Sequence, residues 1–167
     1  MKRPVVHPTA FIAPSALVMG DVTLAEESSV WYTSVIRGDM ASIRIGSQTC
    51  LQDGCIAHVD EGVPCVIGNR VGVGHRVTLH GCTVEDDCLI GMGSILLNRV
   101  VVGRGSVVAA GAVLPEGMQV PPGSLVMGLP AKVVRRVNPE LTERIEQTWK
   151  HYVEQAKRHR AGQFPAV

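Results

Sequence analysis

Three histidines near the middle of the chain, His58, His75 and His80, are the residues best suited to chemistry. Neutral imidazoles bind Zn²⁺ with bonds of about 2.0–2.1 Å, and three of them leave a fourth position open for reaction. The spacing is awkward for a simple motif. His75 and His80 lie five residues apart in "GVGHRVTLHGC". A helix pairs ligands three or four residues apart, and on a strand an odd separation sends the two side chains to opposite faces. Whether the pair can serve one kind of ion depends on the elements that carry it.

Those elements are announced by a repeat. Aliphatic residues recur every six positions at Val6, Ile12, Val18, Leu24, Val30 and Ile36, and after a three-residue slip at Ile45, Leu51 and Ala57. A four-residue slip leads to Ile67, Val73 and Leu79. One residue is then lost, and the run continues from Val84 through Ile90, Leu96, Val102, Val108, Leu114 and Val120 to Val126. Small side chains such as Ser28, Ser34, Thr49, Cys55, Ser94 and Ser106 stand four residues after the aliphatics. An even period turns every aliphatic the same way on extended chain. Six-residue strands with corners close triangular rungs in threes, and the rungs stack as a parallel β-helix. A sandwich would not keep so strict a register.

The register supplies coordinates for the polar residues. His58 follows Ala57 and His80 follows Leu79, so the two occupy equivalent positions one rung apart once the insertion around "VDEGVPC" is removed. Strand spacing of about 4.8 Å lets such imidazoles converge on one ion. Arg37 precedes His58 by one rung on the same face, while Gln52 and Asp53 belong to the neighbouring face. His75 falls on a different side of the prism from His80. It would reach an ion held by His58 and His80 only if another copy, in a threefold assembly, presented it there.

After the coil, Asn138 offers an N-cap and Pro139 a first helical residue. Leu141, Ile145, Trp149, Tyr152 and Ala156 then recur at helical spacing, with basic residues crowding the end. The expected organisation is a coil over residues 1–137 and a helix packed on it, with a tail, over 138–167. Lys+Arg 16 against Asp+Glu 15 leaves a formal charge of +1, which implies no general attraction to nucleic acid or acidic membrane. The first residues lack the apolar run of a secretory signal, and no segment reaches membrane-spanning length. A cytoplasmic protein is expected. The five cysteines are odd in number and form no CxxC, so buried thiols are expected rather than disulfides or a cysteine metal site.

"IRGD" (36–39), "LQDGCIAHV" (51–59), "VGHRVTLHGC" (73–82) and "LIGMGSILLN" (89–98) closely resemble the γ-class carbonic anhydrases, particularly their compact bacterial relatives. The resemblance implies an all-β fold, a left-handed parallel β-helix of hexapeptide repeats with a C-terminal α-helix; the left hand rests on the resemblance alone. It implies a homotrimer with interfacial metals, Zn²⁺ or alternatively Fe²⁺ or Co²⁺, bound by His58 and His80 of one subunit and His75 of the next. Arg37 and Asp39 would form the interface ion pair. Gln52 would hydrogen-bond the reacting water or substrate, with Asp53 in support. The implied reaction is reversible hydration of CO₂ to bicarbonate, driven by a bound water whose pKa falls to about 7.

The chain departs from the family prototype where protons must leave. Met40 stands where the prototype carries an acidic residue, and of the long acidic loop only Asp60 and Glu61 remain. Glu61 is either a proton relay or a solvated loop carboxylate, and Tyr152 either approaches the metal or packs on the coil. Slow turnover is therefore an open outcome. Two other functions stay open: a hexapeptide-repeat acyltransferase, which shares the coil and endings like "GLPAKVV" and uses a lone histidine as base, and a metal-binding scaffold of the same family. His7, His151 and His159 lie outside the motifs and carry no assignment.

Overall fold

Inward-facing aliphatics at six-residue spacing oblige the chain to turn a corner after each short strand. The computed structural model describes residues 2–165, and its strands, many only two or three residues long, build three parallel faces. The first face stacks residues 17–20, 35–38, Ile56–His58, Thr78–His80, Ile95–Leu96 and Val113–Leu114. The second stacks Val5–Val6, residues 22–24 and 43–45, Cys65–Ile67, Thr83–Val84, Val101–Val102 and Gln119–Val120. The third runs from Phe11–Ile12 through Ser29–Val30, Cys50–Leu51, Gly72–Val73, Leu89–Ile90 and Val107–Val108 to Ser124–Gly128. This is the solenoid that the repeat predicts.

The core is the column of repeat aliphatics. From Leu24 to Val126 every one is buried, and each pairs with its counterpart one rung away, as Ile36 with Ala57, Ala57 with Leu79 and Leu79 with Leu96. Val6 is exposed and Ile12 and Val18 only half-buried, because the first rung has a neighbour on one side alone. The small residues four positions later sit inside the corners. There the Ser34 hydroxyl donates to the Gln52 carbonyl at 2.9 Å, Thr49 to Gly68 at 2.7 Å and Ser94 to Gly91 at 2.7 Å. A larger side chain would not fit, and an apolar one would leave a buried carbonyl without that donor.

The three slips in the repeat fall at corners. Three extra residues belong to the strand Val35–Ile45, which bends from the first face to the second. Four extra residues make the turn at Asp60–Val63, closed by the Val63 amide donating to the Asp60 carbonyl at 3.0 Å. The lost residue lies between His80 and Thr83, where Gly81 turns with φ +54. Core registry is kept across all three.

The coil does not end as a simple last rung. Ser124–Gly128 pairs antiparallel with Ala131–Arg136, a hairpin the six-residue pattern did not announce. Gly128 at φ +103 and Pro130 interrupt the period there, and Lys132, Arg135 and Arg136 place charge on the edge strand, which discourages further pairing. The helix Pro139–Arg160 starts where the cap residues predict, with Asn138 Oδ1 accepting from the Leu141 amide at 3.0 Å. It lies on the third face. Ile145 packs with Val107 and Leu125, and Ala156 packs with Phe11, Ala13, Trp31 and Cys50. Gly72 is bare because a Cβ there would meet Thr148 Cγ2 at 2.8 Å.

Two outcomes test this packing. Leu79→Ala removes a fully buried side chain between two rungs and is expected to cost about 2–5 kcal/mol in denaturant unfolding. All five cysteines are buried thiols, and burial pushes Cys50, Cys55 and Cys88 up to about 12. The native protein at pH 8 should therefore leave a thiolate-seeking disulfide reagent unconsumed, with all five thiols reacting once it is unfolded.

Candidate metal centre

His58 and His80 end neighbouring strands of the first face and stand directly opposite in register. Their rings lie 5.2 Å apart between centroids, and His58 Nδ1 faces His80 Nε2 at 3.2 Å. That separation is close to the edge of a tetrahedron whose bonds are about 2.0–2.1 Å long, roughly 3.3–3.4 Å. Two ring nitrogens are thus already at the spacing that one ion requires. Both side chains are half-buried, which keeps one side of the pair open.

His58 is fixed from behind. Its Nε2 lies 3.1 Å from Asp39 Oδ1, and the other carboxylate oxygen of Asp39 accepts from Arg37. Desolvation works to raise the Asp39 pKa, but the bonds from Arg37 and His58 outweigh it and hold the carboxyl below the ordinary range. An ionised carboxylate only accepts, so His58 presents its hydrogen at Nε2 and a lone pair at Nδ1. Within one chain Arg37 and Asp39 therefore form a pair that also orients a histidine.

His75 sits at the other end of the same rung. It follows Val73 of the third face and precedes Thr78 of the first, so His75 and His80 flank one short strand at two different corners. This resolves the five-residue spacing: the two serve different corners of the prism. His75 Nδ1 lies 3.0 Å from Asp53 Oδ2 in the preceding rung, which leaves Nε2 as the free nitrogen. Tyr152, brought over this corner by the helix, has its hydroxyl 3.5 Å from that Nε2, too long for a firm bond. Burial, with Cys50, Asp53 and Cys55 adding to it, pushes the Tyr152 hydroxyl up to about 12, so it stays protonated at neutral pH. Gln52 is buried and shares with His75, Arg144, Thr148 and Tyr152 the wall of an open hollow of about 440 Å³.

The residues singled out in the sequence thus fall into two groups. Arg37, Asp39, His58 and His80 gather at one corner, and Gln52, Asp53, His75 and Tyr152 at another. Glu61 is exposed at the tip of the inserted turn. Among the described residues no three His, Cys, Asp or Glu side chains of one chain gather closely enough to hold an ion. One participant was not singled out. Asn98 Oδ1 lies 2.9 Å from His80 Nδ1, and the Asn98 amide donates to Asp60 Oδ2 at 2.7 Å. Its signal was present, since Asn98 ends the "LIGMGSILLN" stretch one rung beyond His80.

The chain is similar to proteins of known family and structure. The family described as bacterial transferase hexapeptide (six repeats) matches residues 81–116. A carbonic anhydrase from Geobacillus kaustophilus is 41% identical over 160 residues, covering 96% of this chain and 88% of that protein. A mitochondrial γ carbonic anhydrase of Arabidopsis thaliana is 42% identical over 164 residues, 95% of this chain, and the chain spans only 59% of its length. A crystal structure of a Bacillus cereus protein provisionally assigned as an acetyltransferase superposes with a TM-score of 0.94 at 39% identity, over 96% of this chain and 93% of that one. With relatives this similar along nearly its whole length, the chain belongs to the γ-carbonic anhydrase family of hexapeptide-repeat proteins.

Proposed function

We propose that the protein catalyses the reversible hydration of CO₂ to bicarbonate at divalent-metal sites shared between the subunits of a homotrimer. His58 and His80 of one copy and His75 of the next hold the ion, Zn²⁺ in the first instance with Fe²⁺ or Co²⁺ as alternatives. The observation that carries this reading is the 3.2 Å approach of His58 Nδ1 to His80 Nε2, with a third histidine at the opposite corner of the same rung. Exposed Leu17 and Ile56 give the first face apolar surface, which suits contact with another copy. The curated relatives named as carbonic anhydrases support the reaction.

The chain's own residues divide the work. Asp39 and Asp53 hold the remote nitrogens of His58 and His75, so each ring offers a lone pair in a set direction. Held by His58, His80 and a neighbouring copy's His75, a divalent ion would supply the Lewis acidity that lowers a water's pKa to about 7. To the Gln52 amide, which lines the same hollow as His75, this reading assigns the hydrogen bond to an oxygen of CO₂ or bicarbonate. In the forward direction one C–O bond forms between water and CO₂, and one proton is released to solvent. Of the two relay candidates, Tyr152 stays protonated and acts as a donor, whereas Glu61 is a solvent-facing carboxylate able to carry the proton outward. Met40, in place of an acid, leaves that route short of one group.

Stopped-flow CO₂ hydration on protein carrying a full metal complement should show a rate above buffer that chelation removes. No rate above buffer would end the enzymatic reading. Shared sites give a second outcome. Mixing His75→Ala with His80→Ala protein and reassembling the trimers should restore intact ligand sets at about a quarter of the interfaces. Metal content would rise accordingly, and no recovery would place all the ligands within one chain.

A further inference from the structure

We propose that Asp60, acting through Asn98, is a positioning residue that fixes His80 in the tautomer whose Nε2 lone pair faces His58. The inference rests on the metal reading above for its consequence, but on hydrogen-bond chemistry for its content. An ionised Asp60 carboxylate only accepts, so the Asn98 group that meets it at 2.7 Å is the amide NH₂. The Asn98 oxygen is thereby the atom left for His80, at 2.9 Å from Nδ1. A carbonyl oxygen only accepts, so Nδ1 carries the hydrogen and neutral His80 keeps its lone pair at Nε2. Turning the amide over would set its oxygen against the carboxylate. The negative charge of Asp60 thus dictates the orientation of Asn98, and Asn98 dictates the tautomer of His80.

The consequence appears at the pair itself. With Asp39 on Nε2 of His58 and Asn98 on Nδ1 of His80, the atoms that face each other at 3.2 Å are both acceptors. Two lone pairs at that distance repel unless a cation lies between them. Asp60 Oδ1 is 3.9 Å from His80 Nε2, beyond hydrogen-bond range, so it does not draw a hydrogen to that nitrogen.

Local construction shows that the contact is built rather than incidental. Asp60 opens the four-residue insertion and is held by the bond from the Val63 amide. Gly62, inside the turn, takes φ +72. On the opposite side Gly81 leaves room for the relay: a Cβ there would stand 2.3 Å from Asn98 Oδ1 and 2.7 Å from Val63 Cγ1. The insertion, a bare residue beside His80 and an amide in the next rung all meet at one point.

The test uses the full chain with ¹⁵N-labelled histidine, stripped of metal and held at about pH 8.5. Long-range ¹H–¹⁵N spectra should show His80 with its hydrogen at Nδ1. Asn98→Ala and Asp60→Asn should each mix the tautomers and weaken Co²⁺ binding, read by competition with a chromophoric chelator, by about 10- to 100-fold. The exchange variant Asp60→Asn/Asn98→Asp keeps the net charge and puts an acceptor-only group against His80 with a donor behind it. It should return the Nδ1–H form and bring Co²⁺ affinity within about threefold of the parent, a rescue that a merely structural tie would not give. His80 carrying its hydrogen at Nε2 in the parent, or single variants that bind Co²⁺ like the parent, would overturn the proposal. If the parent shows the Nδ1–H form yet binds no Co²⁺, the tautomer assignment stands and the metal reading falls.

Discussion

Parallel stacking in strict register is the constraint from which the site follows. When Ala57 lies over Leu79 in the core, His58 must lie over His80 outside it, because side chains alternate along a strand. No loop needs to find a rare conformation to bring the pair together. The strand spacing sets an approach of about 4.8 Å, and rotation of the rings closes it to the 3.2 Å seen between nitrogens. A cavity in the core beneath this pair would loosen the geometry above it, so packing and function are coupled through two consecutive backbone positions.

Specialisation is concentrated where the repeat is broken. A coil of perfect hexapeptides presents equivalent faces in every rung and favours no site. The three-residue insertion carries Asp39 past the corner and lets it accept from His58. The four-residue insertion delivers Asp60 to Asn98, and the deletion after His80 leaves Gly81 where Asn98 must approach. Each break costs some regular pairing and gains a polar contact aimed at a histidine. Similar scaffolds can therefore host different chemistries with little change to the core.

The coil and the histidine pair were legible in the sequence because both are consequences of period. The helix was legible for another local reason, the cap at Asn138 followed by Pro139 and a basic last turn. What stayed hidden depends on side-chain reach across rungs. Asn98 lies one position beyond Leu97, the residue that register sets against His80, so stacking alone did not point to it. Asp39 was visible as the partner of Arg37, but its bond to His58 requires the bend of the strand Val35–Ile45, which periodicity does not describe. The closing hairpin was hidden too, since Val126 keeps the inward position whether the next strand runs parallel or antiparallel.

The three histidines are not held alike. His58 and His75 rest on carboxylates, whereas His80 rests on an amide with its carboxylate one group further back. A carboxylate free to swing beside His80 would itself be a good oxygen ligand for a divalent ion and would fill the fourth position that chemistry needs. Tied to the Asn98 amide through one oxygen, Asp60 keeps the other 3.9 Å from His80 Nε2. At the proposed metal site it would lend negative charge from behind the ring. Under the proposed metal reading, the amide fixes the tautomer of His80 as the carboxylates do for His58 and His75, while the charge of Asp60 acts from one group further back.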